Sequence, residues 1–90
     1  MIKCVGYAFK SGSFEDEKGK KLEYDNVMLY YVSDNNFDVF GLETGVVKVK
    51  RSDWPKLCVL PVEDLRDQQL QFDYAPVNGK VVLRRISLAD

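Results

Sequence analysis

Between Leu22 and Val32 apolar and aromatic side chains occupy both sides of an alternating pattern, and no other stretch constrains the fold as sharply. Strand side chains point to opposite faces in turn. Tyr24, Asn26, Met28, Tyr30 and Val32 therefore share one face, and Val27, Leu29 and Tyr31 share the other. A strand apolar on both faces belongs in a barrel that bends around it, or in a sheet whose outer face meets a partner. At 90 residues the chain is one domain with a small core, too short to wrap such a strand in layers of helix.

The neighbouring segments agree with a β architecture. Ile2 to Lys10 alternates loosely, with Val5, Tyr7 and Phe9 on one face and Gly6 marking a bulge or a close approach. Residues 11–21 are polar, carry Gly12 and Gly19, and read as an exposed loop or hairpin tip. Asp34-Asn35-Asn36 is a turn, and Phe37 to Leu42 reads as a short strand. In Val46 to Arg51 the pattern places Val47 and Val49 inward and Lys48 and Lys50 outward. Ser52 to Pro55 breaks it. Val62 to Leu70, after Pro61 and with early acids, is the one stretch that reads as a helix; an irregular connection is the alternative. Leu70 to Tyr74 and Val81 to Leu88 read as strands around an Asn78-Gly79 hairpin turn. The expected fold is all-β: a small five-stranded OB-like barrel with at most one short helix, spanning residues 1–90 as a single domain.

Several function classes drop out. The chain has no histidine, which removes the usual general base and the commonest zinc ligand. It carries no phosphate-cradling glycine loop and no nucleophile motif. Glu63 and Asp64 are better placed to start a helix than to work as a catalytic pair. No enzyme activity, metal or cofactor is expected. Cys4 and Cys58 lie far apart without a Cys-x-x-Cys pattern and read as buried small hydrophobes. No apolar run approaches the roughly 20 residues of a membrane span, and Met1 to Gly6 lacks a signal-peptide core, so a cytoplasmic location is expected.

Net charge is −1, which offers no global attraction to nucleic acid. The charges are nevertheless grouped. Acids cluster at Glu15 to Glu17 and at Glu63 to Asp67, and bases at Lys18 to Lys21, Lys48 to Arg51 and Arg84-Arg85. Such segregation can give an acidic molecule one positive face.

Two stretches carry a resemblance to a known family. Gly19-Lys20 is followed by Asn26-Val27-Met28-Leu29-Tyr30-Tyr31-Val32, and Gly79-Lys80-Val81-Val82-Leu83 runs into Arg84-Arg85-Ile86-Ser87-Leu88. Together with the opening Met1-Ile2-Lys3, they resemble the filamentous-phage helix-destabilising proteins, the gene V-type single-stranded DNA-binding family. The likeness covers about a quarter of the chain, with one extra residue after Gly19-Lys20. It implies an OB-type barrel, a homodimer and a single-stranded DNA partner. It places Lys20 and Lys21 at the start of a DNA-facing strand and Arg85 on phosphate. The family's aromatic after its Gly-Lys pair corresponds to Tyr24, or to the non-aromatic Leu22 if the extra residue is discounted. Where the family has an aromatic before the final glycine this chain has Asn78, which moves that stacking role toward Tyr74.

The residues themselves offer the parts of a single-strand binder: cations for phosphates and rings for unpaired bases. Candidate cations are Lys18, Lys20, Lys21, Lys48, Lys50, Arg51, Lys80, Arg84 and Arg85, the last two pointing to opposite faces; candidate platforms are Tyr24, Tyr30, Trp54 and Tyr74. Each has an ordinary alternative. The tyrosines can pack a barrel rim, Trp54 can cap a barrel end, and Lys48 and Lys50 can be the solvated side of an edge strand. The rival function is a protein-interaction module without nucleic-acid binding, over whose surface the same cations would be scattered.

Overall fold

Antiparallel pairing organises the chain in a computed structural model that describes residues 1–89. Strands β1 (Ile2–Glu15) and β2 (Lys21–Ser33) form one long hairpin, followed by β3 (Glu43–Lys50), β4 (Gln69–Val77) and β5 (Lys80–Leu88). The sheet order is β3-β2-β1-β4-β5. Among the described residues no ladder joins β3 to β5, so the barrel seam stays unpaired. The small five-stranded, all-β reading is thus met, and among the described residues the α-helix is one of four residues, α1 (Trp54–Leu57).

The alternation in β2 and β3 falls as the sequence indicates. Val27 and Leu29 are buried with Val49 and Val47 opposite them, while Lys48 and Lys50 stay exposed. In β1 the pattern shifts phase. Cys4 pairs with Tyr31 and Gly6 with Tyr30, which leaves Val5 as the extra residue of a β-bulge. Cys4 before the bulge and Tyr7 and Phe9 after it consequently face the same inner side. The turn between β4 and β5 is the expected Asn78-Gly79, both at positive φ (50° and 78°), the signature of a type I′ hairpin.

Four readings are corrected, the first being Val5, which the bulge removes from the face of Tyr7 and Phe9. The 11–21 stretch is strand on both sides of a tip confined to residues 16–20. Phe37 to Leu42 forms no strand, because no neighbouring strand offers it a ladder. The helix expected over Val62 to Leu70 is only a 3₁₀ turn at Val62–Leu65, which needs just one turn to bury Val62 and Leu65. Ser52 to Pro55 breaks the strand pattern as expected, and Pro55 stands in the first turn of α1, where its missing N–H costs nothing.

The core lies beneath the inner face, where Cys4, Val27, Leu29, Leu70 and Ile86 from the strands meet Trp54, Leu57, Cys58, Val62 and Leu65 from the 51–65 connection. Tyr31 of β2 reaches over β1 to pack edge-on against Phe72 of β4, ring centroids 5.1 Å apart. Its own ring lies across Gly45, leaving no room for a side chain there. Burial pushes the Cys4 and Cys58 thiols up from their ordinary range. Thiolate is the reactive form. In the native protein at mildly alkaline pH, both cysteines are expected to alkylate far more slowly than in denaturant. Mass spectrometry of a timed iodoacetamide reaction checks this; equal rates would contradict the burial. Among the described residues no helix is long and apolar enough to cross a membrane.

Candidate nucleic-acid interface

Ladder register decides which side chains share a surface. On the outer face of β1, β2 and β3, Lys50 lies beside Asn26 and Asn26 beside Lys10. The next row is Lys48, Met28 and Ala8, and the one after is Val46, Tyr30 and Gly6. Toward the hairpin tip come Tyr24 opposite Gly12 and Leu22 opposite Phe14. At the other end Thr44, Val32 and Lys3 complete the face.

Charge divides by face. Every acid of these three strands, Glu15, Glu23, Asp25 and Glu43, occupies an inner-side position. The outer positions hold Lys3, Lys10, Lys48 and Lys50 and no acid. Residues two apart along a strand are separated by about 6.6–6.8 Å, and next-but-one strands by about 9.5 Å. Lys48, Lys50 and Lys10 thus form a compact cationic triangle around Met28 and Asn26. In a protein of net charge −1 this concentration is a local field, and local fields steer ligands.

Rings flank the triangle along the strand direction. Tyr24 lies across Gly12, its hydroxyl 2.6 Å from where a Cβ would stand, so the glycine gives the ring a flat seat. Phe14 packs beside it at 6.4 Å between centroids, tilted by 41°. Both rings are exposed. On the opposite flank Tyr30 is half-buried in a shallow apolar hollow of about 460 Å³ walled by Val5, Val32 and Val46.

Of the residues singled out from the sequence, the fold brings Tyr24, Tyr30, Lys48 and Lys50 onto this one face. Lys18 and Lys20 sit at the hairpin tip, where their backbone N–H groups both donate to Asp16. Lys21 faces the inner side, opposite Glu15. Arg51 also turns inward, its guanidinium 4.5 Å from the Phe9 ring centroid and 4.0 Å from Asp25. Lys80 belongs to the β4–β5 hairpin, which meets β1 only at Ile2 and Lys3. Arg85 is on that hairpin too, held 3.3 Å from Asp73. The Asp73 carboxyl lies below its usual range because Gln71 and Arg85 both donate to it. Tyr74 projects from the inner side of β4, toward Tyr31. Trp54 is no platform: it is 7% exposed and its indole N–H donates to the Leu60 carbonyl at 2.9 Å.

Lys10 and Phe14 were not anticipated as members of the face, whereas Met28 stands on it as the alternation of β2 indicates. The signal for Lys10 and Phe14 was present in the sequence. Alternation from Tyr7 and Phe9 puts Lys10, Gly12 and Phe14 on the opposite side, provided residues 11–15 are taken as strand.

Among the described residues no group of three or more His, Cys, Asp or Glu side chains is placed to hold a metal ion. Comparison with protein-family models, with curated proteins and with solved structures finds no match to this chain.

Proposed function

We propose that the chain binds single-stranded DNA with little sequence preference, along the outer face of β1, β2 and β3. The observation that carries this reading is the acid-free field of Lys10, Lys48 and Lys50 bordered by the exposed Tyr24–Phe14 pair. Lysine ammonium groups recognise phosphate as mobile point charges, and ring faces recognise any unpaired base. Neither reads base edges, so the binding is sequence-tolerant. A duplex hides its base faces, and rings seated on a sheet then have nothing to stack against. The role to which such an activity belongs is holding displaced strands during replication of a phage or mobile element, in the cytoplasm of the host.

Three or four neutralised phosphates give a slope of log affinity against log salt of roughly −2 to −3, at about −0.7 per contact. Fluorescence anisotropy of labelled oligo-dT at low and moderate salt measures it. No binding by micromolar protein at low salt removes the proposal. The same titration with oligo-U and with duplex DNA identifies the class of strand preferred.

Tyr24→Ala separates stacking from charge. One stacked base is worth about 1–3 kcal/mol, so the change is expected to weaken binding roughly 5- to 150-fold. The salt slope is expected to remain as in the parent protein, because no cation is lost. An unchanged affinity would exclude Tyr24 as a platform.

A further inference from the structure

Two strand edges of the sheet lack a neighbour, and both border the same cleft. Among the described residues β3 pairs only with β2, and β5 only with β4. The cleft between them measures about 530 Å³. Val47, Lys48 and Val49 of β3 form one wall, and Val82, Leu83 and Arg84 of β5 the other. An edge strand leaves a row of N–H and C=O groups without strand partners, and such a row is a template for one more strand.

Side chains around the cleft set what that strand must carry. Alternation in β3 directs Val47 and Val49 inward and Lys48 and Lys50 outward. A strand laid beside β3 therefore meets valine on its inner face and lysine on its outer face, and opposite charges side by side on one face of a sheet attract. On the far wall Asp73 pairs with Arg85 and Tyr74 with Leu83, which makes Arg84 the extra residue of a β-bulge. Bulges re-aim side chains. Arg84 lines the cleft and, like Lys48, has no ion-pair partner among the described residues. The other two charges at the cleft, Lys56 and Asp53, meet each other at 3.5 Å. What remains is two unopposed cations over an aliphatic floor.

We propose that the cleft takes an extended segment of a partner protein, with acidic and aliphatic residues in alternation, added as a further strand beside β3. Its aliphatic side chains lie on Val47, Val49 and Leu83, and its carboxylates reach Lys48 and Arg84. In strand addition the backbone bonds supply affinity and the alternate side chains supply selectivity. Edge lysines reject a strand that carries cations, so the residues that draw this partner also discourage unrelated edges. Single-stranded DNA is the poorer occupant. No aromatic residue lines the cleft to hold a base, and a DNA backbone has no N–H or O–H to offer the edge carbonyls.

Fluorescence anisotropy of labelled octapeptides with the full chain tests this in the absence of nucleic acid, which keeps the result separate from that of the oligo-dT titration. A peptide alternating valine and glutamate is expected to bind saturably below about 1 mM. The same peptide with lysine in place of glutamate is expected to bind at least about 10-fold more weakly, as is the glutamate peptide with every amide N-methylated, which has no donors for the edge. Arg84→Glu and Val82→Glu each place a carboxylate on the cleft wall at an exposed position, so thermal melting should match the parent. Each is expected to weaken the glutamate peptide at least about 10-fold. Hydrogen exchange of the backbone at residues 43–50 is expected to slow when that peptide is added. No saturation by about 1 mM overturns the proposal. So does equal binding of the lysine or N-methylated peptide, or parent-like binding by both folded variants. Protection of residues 43–50 and 80–88 by oligo-dT but not by the peptide would give the cleft to nucleic acid, and overturns it too.

Discussion

Lys48→Glu combined with Lys50→Glu is expected to abolish most single-stranded DNA binding at low salt, with an affinity loss of roughly 100-fold or more. Both side chains are exposed on β3 and form no ion pair among the described residues, so the change leaves the core intact. The change eliminates two cations and installs two anions in a field that otherwise contains none. At about 0.7 per phosphate contact, the salt slope should also shrink by about 1.4. Circular dichroism and thermal melting are expected to match the parent. Unchanged affinity would move the nucleic-acid face away from β3 and leave the protein-interaction reading as the better one. Lys18→Glu with Lys20→Glu is the matched control. It makes the same charge change at the hairpin tip, off the outer face and next in the chain to Asp16 and Glu17; a much smaller loss is expected there.

The largest stability effect is expected at Trp54. Replacing it by Ala removes a 7% exposed ring from the junction between the 51–65 connection and the sheet. It also leaves the Leu60 carbonyl without its indole donor. Truncating a buried aromatic to Ala costs about 3–5 kcal/mol. A domain of this size loses about 4–8 °C of melting temperature per kcal/mol, so a drop of roughly 12–40 °C is expected by calorimetry. Trp54→Phe keeps most of the apolar volume and loses the hydrogen bond, and is expected to cost well under half as much. Because Trp54 lies away from the outer face, the folded fraction of either variant should bind oligo-dT like the parent. A Trp54 variant of normal stability and weakened binding would reverse the assignment and return the indole to the ligand.

What could be read in advance followed local periodicity. The two-residue alternation of Val27 to Val32 and of Val46 to Lys50 fixes faces without knowledge of partners, and those faces are as expected. Asn78-Gly79 fixes its turn by backbone conformation alone. The misreadings have a different origin. Phe37 to Leu42 has strand composition, yet a strand exists only where a neighbour supplies hydrogen bonds, and composition cannot show that. Val62 to Leu70 has a helix start, but only Val62 and Leu65 need burial and the chain returns to strand at Gln69.

The candidate site was half legible for the same reason. Lys48, Lys50, Tyr24 and Tyr30 are set by alternation within one strand each. Whether a cation on one strand is neutralised by an acid on another depends on register. Arg85 meets Asp73 only through a pairing displaced by the irregularity between Asp73 and Tyr74, and Arg51 meets Asp25 across two strands. Lys10 and Phe14 follow from the alternation of Tyr7 and Phe9 once residues 11–15 are taken as strand, whereas the inward turn of Cys4 depends on the Val5 bulge, a phase change invisible to strict alternation.

The ladders differ greatly in how far they reach along the chain. β1 and β2 pair over 13 positions across a five-residue tip, whereas β1 and β4 pair only at Ile2 with Leu70 and Lys3 with Gln69. Closing a short loop forfeits little chain entropy, and closing one of nearly seventy residues forfeits more. Folding should therefore begin as separate hairpins, with the docking of β4–β5 onto the N-terminal end of β1 as the late and rate-determining event. The face carrying Lys10, Lys48 and Tyr24 would then be assembled before the rest of the molecule has closed.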